Sequence, residues 1–188
     1  MSGRIEYSII GRYVNIGAKK YEEMRETMKK LIVYYSLEGN TELVAGKILN
    51  YLEADVIRLI PKKEYPKGNF KKYIWGGKSA TFGEKPKLED YSFVAEDYDV
   101  IVIGTPIWAG TFAPPIKTFL ADNKISGKDI YLFTCGAGDA TDKFFDKFKS
   151  VLKDNQIVDT ISFVEPLKNK ISNIDEKIKG FCEKIKHI

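Results

Sequence analysis

The segment Ser36–Thr41 (SLEGNT) carries side chains suited to holding a phosphate group. It offers hydroxyl groups at Ser36 and Thr41, an amide at Asn40 and a flexible Gly39, between an apolar run and a helical pattern. A helix starting here would add free backbone N–H groups and the positive end of its dipole. The same residues also fit a plain strand-to-helix turn with Asn40 or Thr41 as N-cap, so both interpretations stay open. Neither a GxxxxGK[ST] loop nor a GxGxxG turn is present.

A second segment, residues 105–115 (TPIWAGTFAPP), places an indole between small residues. Trp108 offers a flat apolar face for stacking, and Gly110 lets the backbone approach a ligand or turn a peptide over. The competing interpretation is that Trp108 closes the edge of a sheet as a core residue. Its position after an apolar strand favours ligand contact, because ligands of parallel sheets bind beyond the carboxyl ends of the strands.

A third segment, residues 134–140 (TCGAGDA), is rich in glycine. Gly136 and Gly138 expose backbone N–H and C=O groups, which suit hydrogen bonds to the polar edge of a planar heterocycle. The alternative is a glycine-rich turn before a helix capped by Asp139, with Cys135 as a small core residue.

The sequence contains few residues that could form other kinds of catalytic site or a metal site. The chain has one histidine, His187, next to its C-terminal residue, and its two cysteines, Cys135 and Cys182, form no CxxC pair. Ser–His–Asp or Cys–His catalysis and a zinc site are therefore not expected, and no metal ligands are predicted. The cysteine usage favours a reducing compartment, and we expect a cytoplasmic protein.

From residue 28 onward, apolar runs typical of buried parallel strands alternate with amphipathic helical patterns. Strands are predicted at Leu31–Tyr35, Asp55–Ile60, Val100–Gly104, Asp129–Thr134 and Thr160–Val164. Helices are predicted at Thr41–Leu52, Pro115–Ala121, Thr141–Leu152 and Ile171–Ile185. This alternation predicts an α/β fold with a doubly wound parallel sheet, in which the three segments above follow the first, third and fourth strands.

Two stretches depart from this alternation. We expect residues 1–27 to be a loosely attached extension, with Met28 as the natural start of a domain spanning residues 28–188. Residues 61–90 are rich in lysine, glycine and aromatic side chains, and are predicted to be largely irregular with one short helix near Phe70–Trp75. A connection this long inside one domain is usually functional or mobile.

Composition limits the class of partner. The chain of 188 residues is long enough for one well-buried core. Its 30 Lys and Arg against 26 Asp and Glu give a formal net charge of +4, and the lysines are scattered rather than clustered. This pattern is typical of a solvated surface, so no nucleic-acid binding is expected. No apolar stretch reaches the roughly 18 residues of a membrane span, so no membrane insertion is expected.

The motifs SLEGNT, VIVIGTPIWAGTFAPP and LFTCGAGD, in this order and spacing, resemble the flavodoxin family from Met28 to about Ile188. The resemblance implies a five-stranded, three-layer α/β/α fold with strand order 2-1-3-4-5, which binds flavin mononucleotide (FMN) where the strand order switches. It also implies a site for the phosphate group, for the isoalloxazine ring and for its pyrimidine end. The implied residues are Ser36, Glu38, Gly39, Asn40 and Thr41 for the phosphate, Pro106, Ile107, Trp108, Ala109 and Gly110 for the ring, and Cys135, Gly136, Ala137, Gly138 and Asp139 for the pyrimidine end.

The chain departs from the family pattern in three respects. Glu38 replaces a hydroxyl residue usual in the family's phosphate loop. The third loop lacks the tyrosine that often stacks on the outer flavin face, so that face is expected to be open, or covered by Tyr73, Trp75 or Phe82. The positive net charge contrasts with the acidic surface usual for flavodoxin carriers.

The resemblance implies an FMN-binding electron carrier that serves a redox partner protein, with the Gly110 region as candidate for a redox-linked backbone hydrogen bond to flavin N5. The alternative is an NAD(P)H-dependent FMN oxidoreductase acting on quinones or similar small acceptors, with residues 62–90 as a roof over the flavin. A third class, a flavin-free signalling or interaction domain, would leave Trp108 and the glycine-rich loop without a role.

Overall fold

The computed structural model describes residues 28–63, 65, 85–140, 142–169 and 172–186. The expectations for residues 1–27 and for the helix near Phe70–Trp75 lie outside the described residues. The expectations for six further residues also lie outside the described ranges. They are the aromatic residues Tyr73, Trp75 and Phe82, and the single positions Thr141, Ile171 and His187.

Five parallel strands form the centre of the molecule. They are β1 (Lys30–Tyr34), β2 (Asp55–Arg58), β3 (Val100–Trp108), β5 (Asp129–Gly136) and β6 (Gln156–Val164), in the order β2-β1-β3-β5-β6. A sixth strand, β4 (Thr111–Phe112), pairs antiparallel with the end of β3. Apart from this two-residue addition, the predicted five-stranded parallel sheet and its order 2-1-3-4-5 are confirmed.

Helices cover both faces of the sheet. They are α1 (Asn40–Leu49), α2 (Pro114–Asp122), α3 (Asp142–Val151) and α4 (Ile174–Lys186), with a short 3₁₀ helix at Ala95–Asp97. Side chains of α2 and α3 share one core cluster with Ile101, whereas those of α1 and α4 share the other with Val102. Neighbouring residues of one strand therefore face opposite layers, as the pleat requires, and the three-layer arrangement is confirmed.

Strand pairing brings like side chains together within each layer. Leu31, Ile101 and Ile130 lie side by side on β1, β3 and β5, and all three are fully buried. On the opposite face, Gly104 leaves the space that the ring of Phe133 fills, since a Cβ at Gly104 would lie 2.1 Å from Phe133 Cζ. A side chain at Gly104 would displace this ring, which leaves glycine as the residue that fits.

Several element ends differ from the prediction. β3 continues four residues beyond Gly104, because Pro106 pairs with Cys135 of β5, and Trp108 with Thr111 of β4. These pairings depend on distant residues rather than on an apolar run. β6 likewise begins at Gln156 instead of Thr160, and α1 ends at Leu49, which is exposed.

The two ends of the long connection between β2 and the 3₁₀ helix meet. Lys62 N–H donates to the Lys87 carbonyl at 2.8 Å, and Glu89 N–H donates to the Ile60 carbonyl at 2.7 Å. The Thr118 hydroxyl of α2 donates to the Pro86 carbonyl at 3.0 Å, which holds the returning end against that helix. None of the helices described is long and apolar enough to cross a membrane.

Candidate functional site

A cavity of about 310 Å³ opens at the carboxyl edge of the sheet. All three segments singled out in the sequence contribute to its wall, together with one residue after β6. The lining residues are Ser36, Leu37, Glu38, Asn40, Thr41, Pro106, Ile107, Trp108, Ala109, Cys135, Gly136, Ala137 and Glu165.

Four predicted site residues are not part of this wall: Gly39, Gly110, Gly138 and Asp139. Gly39 shapes the start of α1, and Gly110 lies in the turn between β3 and β4. The carboxylate of Asp139 accepts a hydrogen bond from the Ser162 hydroxyl at 3.1 Å, on the neighbouring strand β6. Residues next to the three glycines do line the cavity: Glu38, Asn40, Ala109 and Ala137.

The start of α1 is built to leave backbone N–H groups available. Its N-cap is Gly39, not Asn40 or Thr41, and no side chain caps the helix. Gly39 has a φ of 90°, a left-handed conformation that favours glycine, and its N–H donates to Ser36 Oγ at 3.1 Å. Because the first N–H groups of a helix lack intrahelical partners, those of the first turn, where Asn40 and Thr41 line the cavity, can receive an anion.

A fourth loop, residues 165–169, completes this end of the cavity, and sequence reasoning missed it. Leu167 N–H donates to Asn40 Oδ1 at 3.0 Å, so the Asn40 amide keeps its two Nδ2 hydrogens for a ligand. Glu165 lines the cavity at a φ of 38° and donates its N–H to the Gly136 carbonyl at 3.0 Å. The available signal was topological, because this loop follows a parallel strand that ends at the same edge.

Trp108 combines the two roles between which the sequence left a choice. It lines the cavity, and its ring also packs edge-to-face against Tyr35 at 5.7 Å and Tyr65 at 5.2 Å between ring centroids. Both tyrosines are buried. The indole is therefore held from behind by core rings while it forms part of the cavity wall.

A tight hairpin forms the wall next to Trp108. Ala109 and Gly110 connect β3 to β4 with φ angles of 47° and 68°, the pattern of a two-residue turn that matches the twist of the strands. The Gly110 carbonyl accepts a hydrogen bond from Lys147 Nζ of α3. The Phe112 ring packs on Phe148 with 4.3 Å between centroids. The hairpin is thus fastened to α3 at its turn and at β4.

The wall combines neutral donors and apolar surface with two acidic side chains. Burial raises the pKa of the Cys135 thiol to about 12, against a smaller opposing effect of a hydrogen bond with Thr41, so this cysteine is a protonated wall residue at neutral pH. Among the residues that the structure describes, the charged ones in the lining are Glu38 and Glu165. Within the described residues, no group of three or more His, Cys, Asp and Glu side chains is placed to hold a metal ion.

A family model described as flavodoxin matches residues 29–174. A flavoprotein from Lactobacillus acidophilus NCFM, whose crystal structure contains FMN, is 23% identical over 80% of this chain and 98% of that chain, with a TM-score of 0.63. The NMR structure of the apo-form of the flavoprotein from Lactobacillus acidophilus NCFM gives 25% identity over 76% and 97%, with a TM-score of 0.54. Oxidised flavodoxin 2 from Bacillus cereus gives 19% identity over 84% and 97%, with a TM-score of 0.52. Comparison with curated protein sequences finds no match.

Proposed function

The chain belongs to the flavodoxin family, and from that premise we propose that it binds FMN and transfers electrons through it. The observation that carries the proposal is the cavity at the carboxyl edge of the sheet. There an uncapped helix start meets a tryptophan hairpin and a glycine-rich loop. Sheets of this kind bind nucleotides at this place, because the loops diverge where the strand order switches.

The residues present fit the two halves of FMN. Ser36, Asn40, Thr41 and the first backbone N–H groups of α1 would hold the phosphate with neutral donors. The hairpin residues 107–109 and the loop residues 135–137 would enclose the isoalloxazine ring. Bound FMN supplies the redox chemistry, whereas the chain sets its position, its solvent access and the charge around it.

The size and the lining of the cavity both bear on the choice between a carrier and an enzyme. A volume of about 310 Å³ is at the lower end of the range for small-molecule sites, which suits one flavin. The described wall also offers no histidine and no lysine as an acid or base. We therefore propose that the electrons come from, or go to, a redox partner protein.

One observation favours the alternative, an NAD(P)H-dependent FMN oxidoreductase acting on quinones or similar small acceptors. Ala137 and Gly138 are exposed and small, so the third loop would place no aromatic ring over the outer face of the flavin. An open face leaves room for a nicotinamide or a quinone to stack.

Both cysteines are free and buried, which supports a reducing compartment, and we propose the cytoplasm as the location.

A visible spectrum of the purified protein, followed by addition of NADPH and then of a quinone, tests the proposal. Bound flavin that is reduced by dithionite but only slowly by NADPH would support the carrier. Rapid bleaching by NADPH with turnover on the quinone would instead establish the oxidoreductase. A colourless protein that cannot be reconstituted with FMN would overturn both.

A further inference from the structure

The turn of the hairpin between β3 and β4 has little packing around it. Ala109 and Gly110 are both exposed. Among the residues that the structure describes, no atom lies within 4 Å of the position that a Cβ of Gly110 would take. The antiparallel pairing between β3 and β4 consists of two residue pairs. Side-chain packing therefore does not fix the position of the turn.

The backbone conformation of the turn is also unfavourable. Ala109 has a φ of 47°, in the left-handed region where a residue with a Cβ is strained. Short exposed segments with few buried contacts open locally more easily than the core does. A contact from outside the hairpin therefore has a large influence on where the turn lies.

Lys147 of α3 provides such a contact. Its Nζ donates to the Gly110 carbonyl, although the two residues are 37 positions apart in the chain. The next residue of α3, Phe148, packs on the Phe112 ring of β4 and is fully buried, whereas Lys147 is exposed. A substitution at Phe148 would disturb the core, but a substitution at Lys147 removes the contact with the turn and leaves the core in place.

The turn bears on the cavity through the residues that precede it. Residues 107–109 line the cavity, and Gly110 follows them directly. The Trp108 indole is held from behind by two core rings, but Ala109 belongs to the exposed turn. A displacement of the turn would therefore move the Ala109 side of the wall more than the indole.

We propose that Lys147 is a positioning residue for the flavin, because its hydrogen bond to the Gly110 carbonyl holds the hairpin wall against the isoalloxazine ring. This inference rests on the proposed function, since it assumes that the ring lies against residues 107–109. Lys147 is not one of the described residues that line the cavity. It therefore acts through the backbone of the hairpin and not by contact with the ligand.

The first experiment tests the contact without flavin. The ¹⁵N heteronuclear NOEs of residues 109–112 are measured in the apoprotein. Lys147→Met removes the donor and keeps an unbranched side chain that favours a helix, so we expect these NOEs to fall. Lys147→Arg should keep them, because the guanidinium group also donates hydrogen bonds. Lys143→Met is the matched control, since Lys143 is exposed and lies one turn earlier on α3.

The second experiment measures flavin binding by calorimetric titration of the same variants. Riboflavin has no net charge at neutral pH, so a change in its affinity does not come from attraction between the ligand and an ammonium group. We expect Lys147→Met to weaken the binding of riboflavin and of FMN by the same factor, about fivefold, because an exposed hydrogen bond from a charged donor is lost. Lys147→Arg and Lys143→Met should bind both flavins like the wild type.

Four results would overturn the positioning role. One is unchanged NOEs or unchanged riboflavin affinity in Lys147→Met. The second is an equal loss in Lys147→Arg, which a donor at this position should prevent. The third is an equal loss in the Lys143→Met control. The fourth is a loss for FMN alone, which would assign Lys147 a charge effect on the phosphate. Failure of the wild type to bind either flavin would instead overturn the proposed function, and the NOEs of the apoprotein would still decide whether Lys147 holds the hairpin.

Discussion

At the scale of single residues, Asn40 has the most specific arrangement in the cavity. Its Oδ1 is engaged by Leu167 N–H, whereas its Nδ2 remains a donor. Asn40→Asp keeps the acceptor, removes both donors and adds a negative charge beside the proposed phosphate. We expect FMN affinity to fall about 10- to 100-fold, roughly 1.4–3 kcal/mol for a lost charge-assisted hydrogen bond, with riboflavin affinity nearly unchanged.

Calorimetric titration of apoprotein with FMN and with riboflavin measures this difference. Asn50→Asp is the matched control, because it makes the same chemical change at the exposed C-cap of the same helix. Equal losses for FMN and riboflavin would contradict a phosphate contact at Asn40. A change of the same size in the control would point to long-range charge instead.

Two buried threonines on adjacent strands give a second contrast. Thr105 and Thr134 are paired in register on β3 and β5, and both are fully buried. Thr105 Oγ1 accepts the Ala113 N–H and donates to the Pro106 carbonyl, both at 3.0 Å. Thr134 Oγ1 has no hydrogen-bond partner among the described residues.

Valine has nearly the same shape as threonine, so a threonine-to-valine substitution measures the contribution of the hydroxyl group alone. We expect Thr134→Val to raise the free energy of unfolding by about 1 kcal/mol, because it removes an unsatisfied buried polar group. Thr105→Val should lower it by about 1–2 kcal/mol, since the Ala113 N–H loses its acceptor. Urea unfolding of the apoproteins measures both, and a loss of stability in Thr134→Val would reveal a partner for that hydroxyl.

At the scale of elements, the hairpin between β3 and β4 depends on its backbone conformation. Gly110 and Gly46 both have no atom within 4 Å of where a Cβ would lie, but Gly110 has a φ of 68° whereas Gly46 is in the middle of α1. Gly110→Ala should cost about 1 kcal/mol of stability, and Gly46→Ala should add about 0.5–1 kcal/mol. Thermal unfolding compares them, and equal effects would mean that φ does not control the turn.

An element could be predicted from the sequence where its own residues determine it, and could not where pairing with distant residues does. The cores of the five strands were predictable because each is a continuous apolar run, as in the segment VIVIG of β3. The extension of β3 to Trp108 was not, because Thr105–Trp108 is held by pairing with β5 and β4 rather than by its own pattern. The turn at Ala109 could not be predicted either, because Ala109 stands where a two-residue hairpin usually has asparagine or aspartate.

The site shows the same division between local and distant causes. Three wall segments carried their own signals, namely hydroxyl groups, an indole and paired glycines. The contact of Leu167 with Asn40 joins residues 127 positions apart, and neither side of it has a pattern that indicates the other. The choice of Gly39 as N-cap was also hidden, because Asn40 and Thr41 are themselves good capping residues.

At the scale of the whole molecule, the arrangement of charge and of buried thiols matters more than their totals. A net charge of +4 does not reveal that the charged side chains of the described cavity wall, those of Glu38 and Glu165, are both acidic. The two cysteines likewise are not a pair, since the structure buries Cys135 of β5 at the cavity and Cys182 on the inward face of α4. Both thiols are buried in the same core layer, and because burial favours the protonated thiol, folding of the chain is coupled to proton binding at both.

Burial raises the pKa of both thiols, Cys135 and Cys182, to about 12. An unfolded cysteine loses its proton near pH 8.5, so above that pH the unfolded chain binds fewer protons than the folded one. Stability that the neutral thiols maintain below about pH 8.5 is therefore lost as the pH rises toward 12. Each thiol steepens the fall by up to about 1.4 kcal/mol per pH unit in that window.

The measurement is the free energy of unfolding between pH 8 and pH 11, by urea titration under a reductant, for the wild type and for Cys135→Ala/Cys182→Ala. The double variant will be less stable at pH 8, because it removes two buried side chains, but we expect its stability to decline less steeply with pH. Tyrosines whose pKa values are raised, such as Tyr131, contribute equally to both proteins and cancel in the difference of slopes. Parallel declines would show that the thiols do not remain protonated in the folded protein.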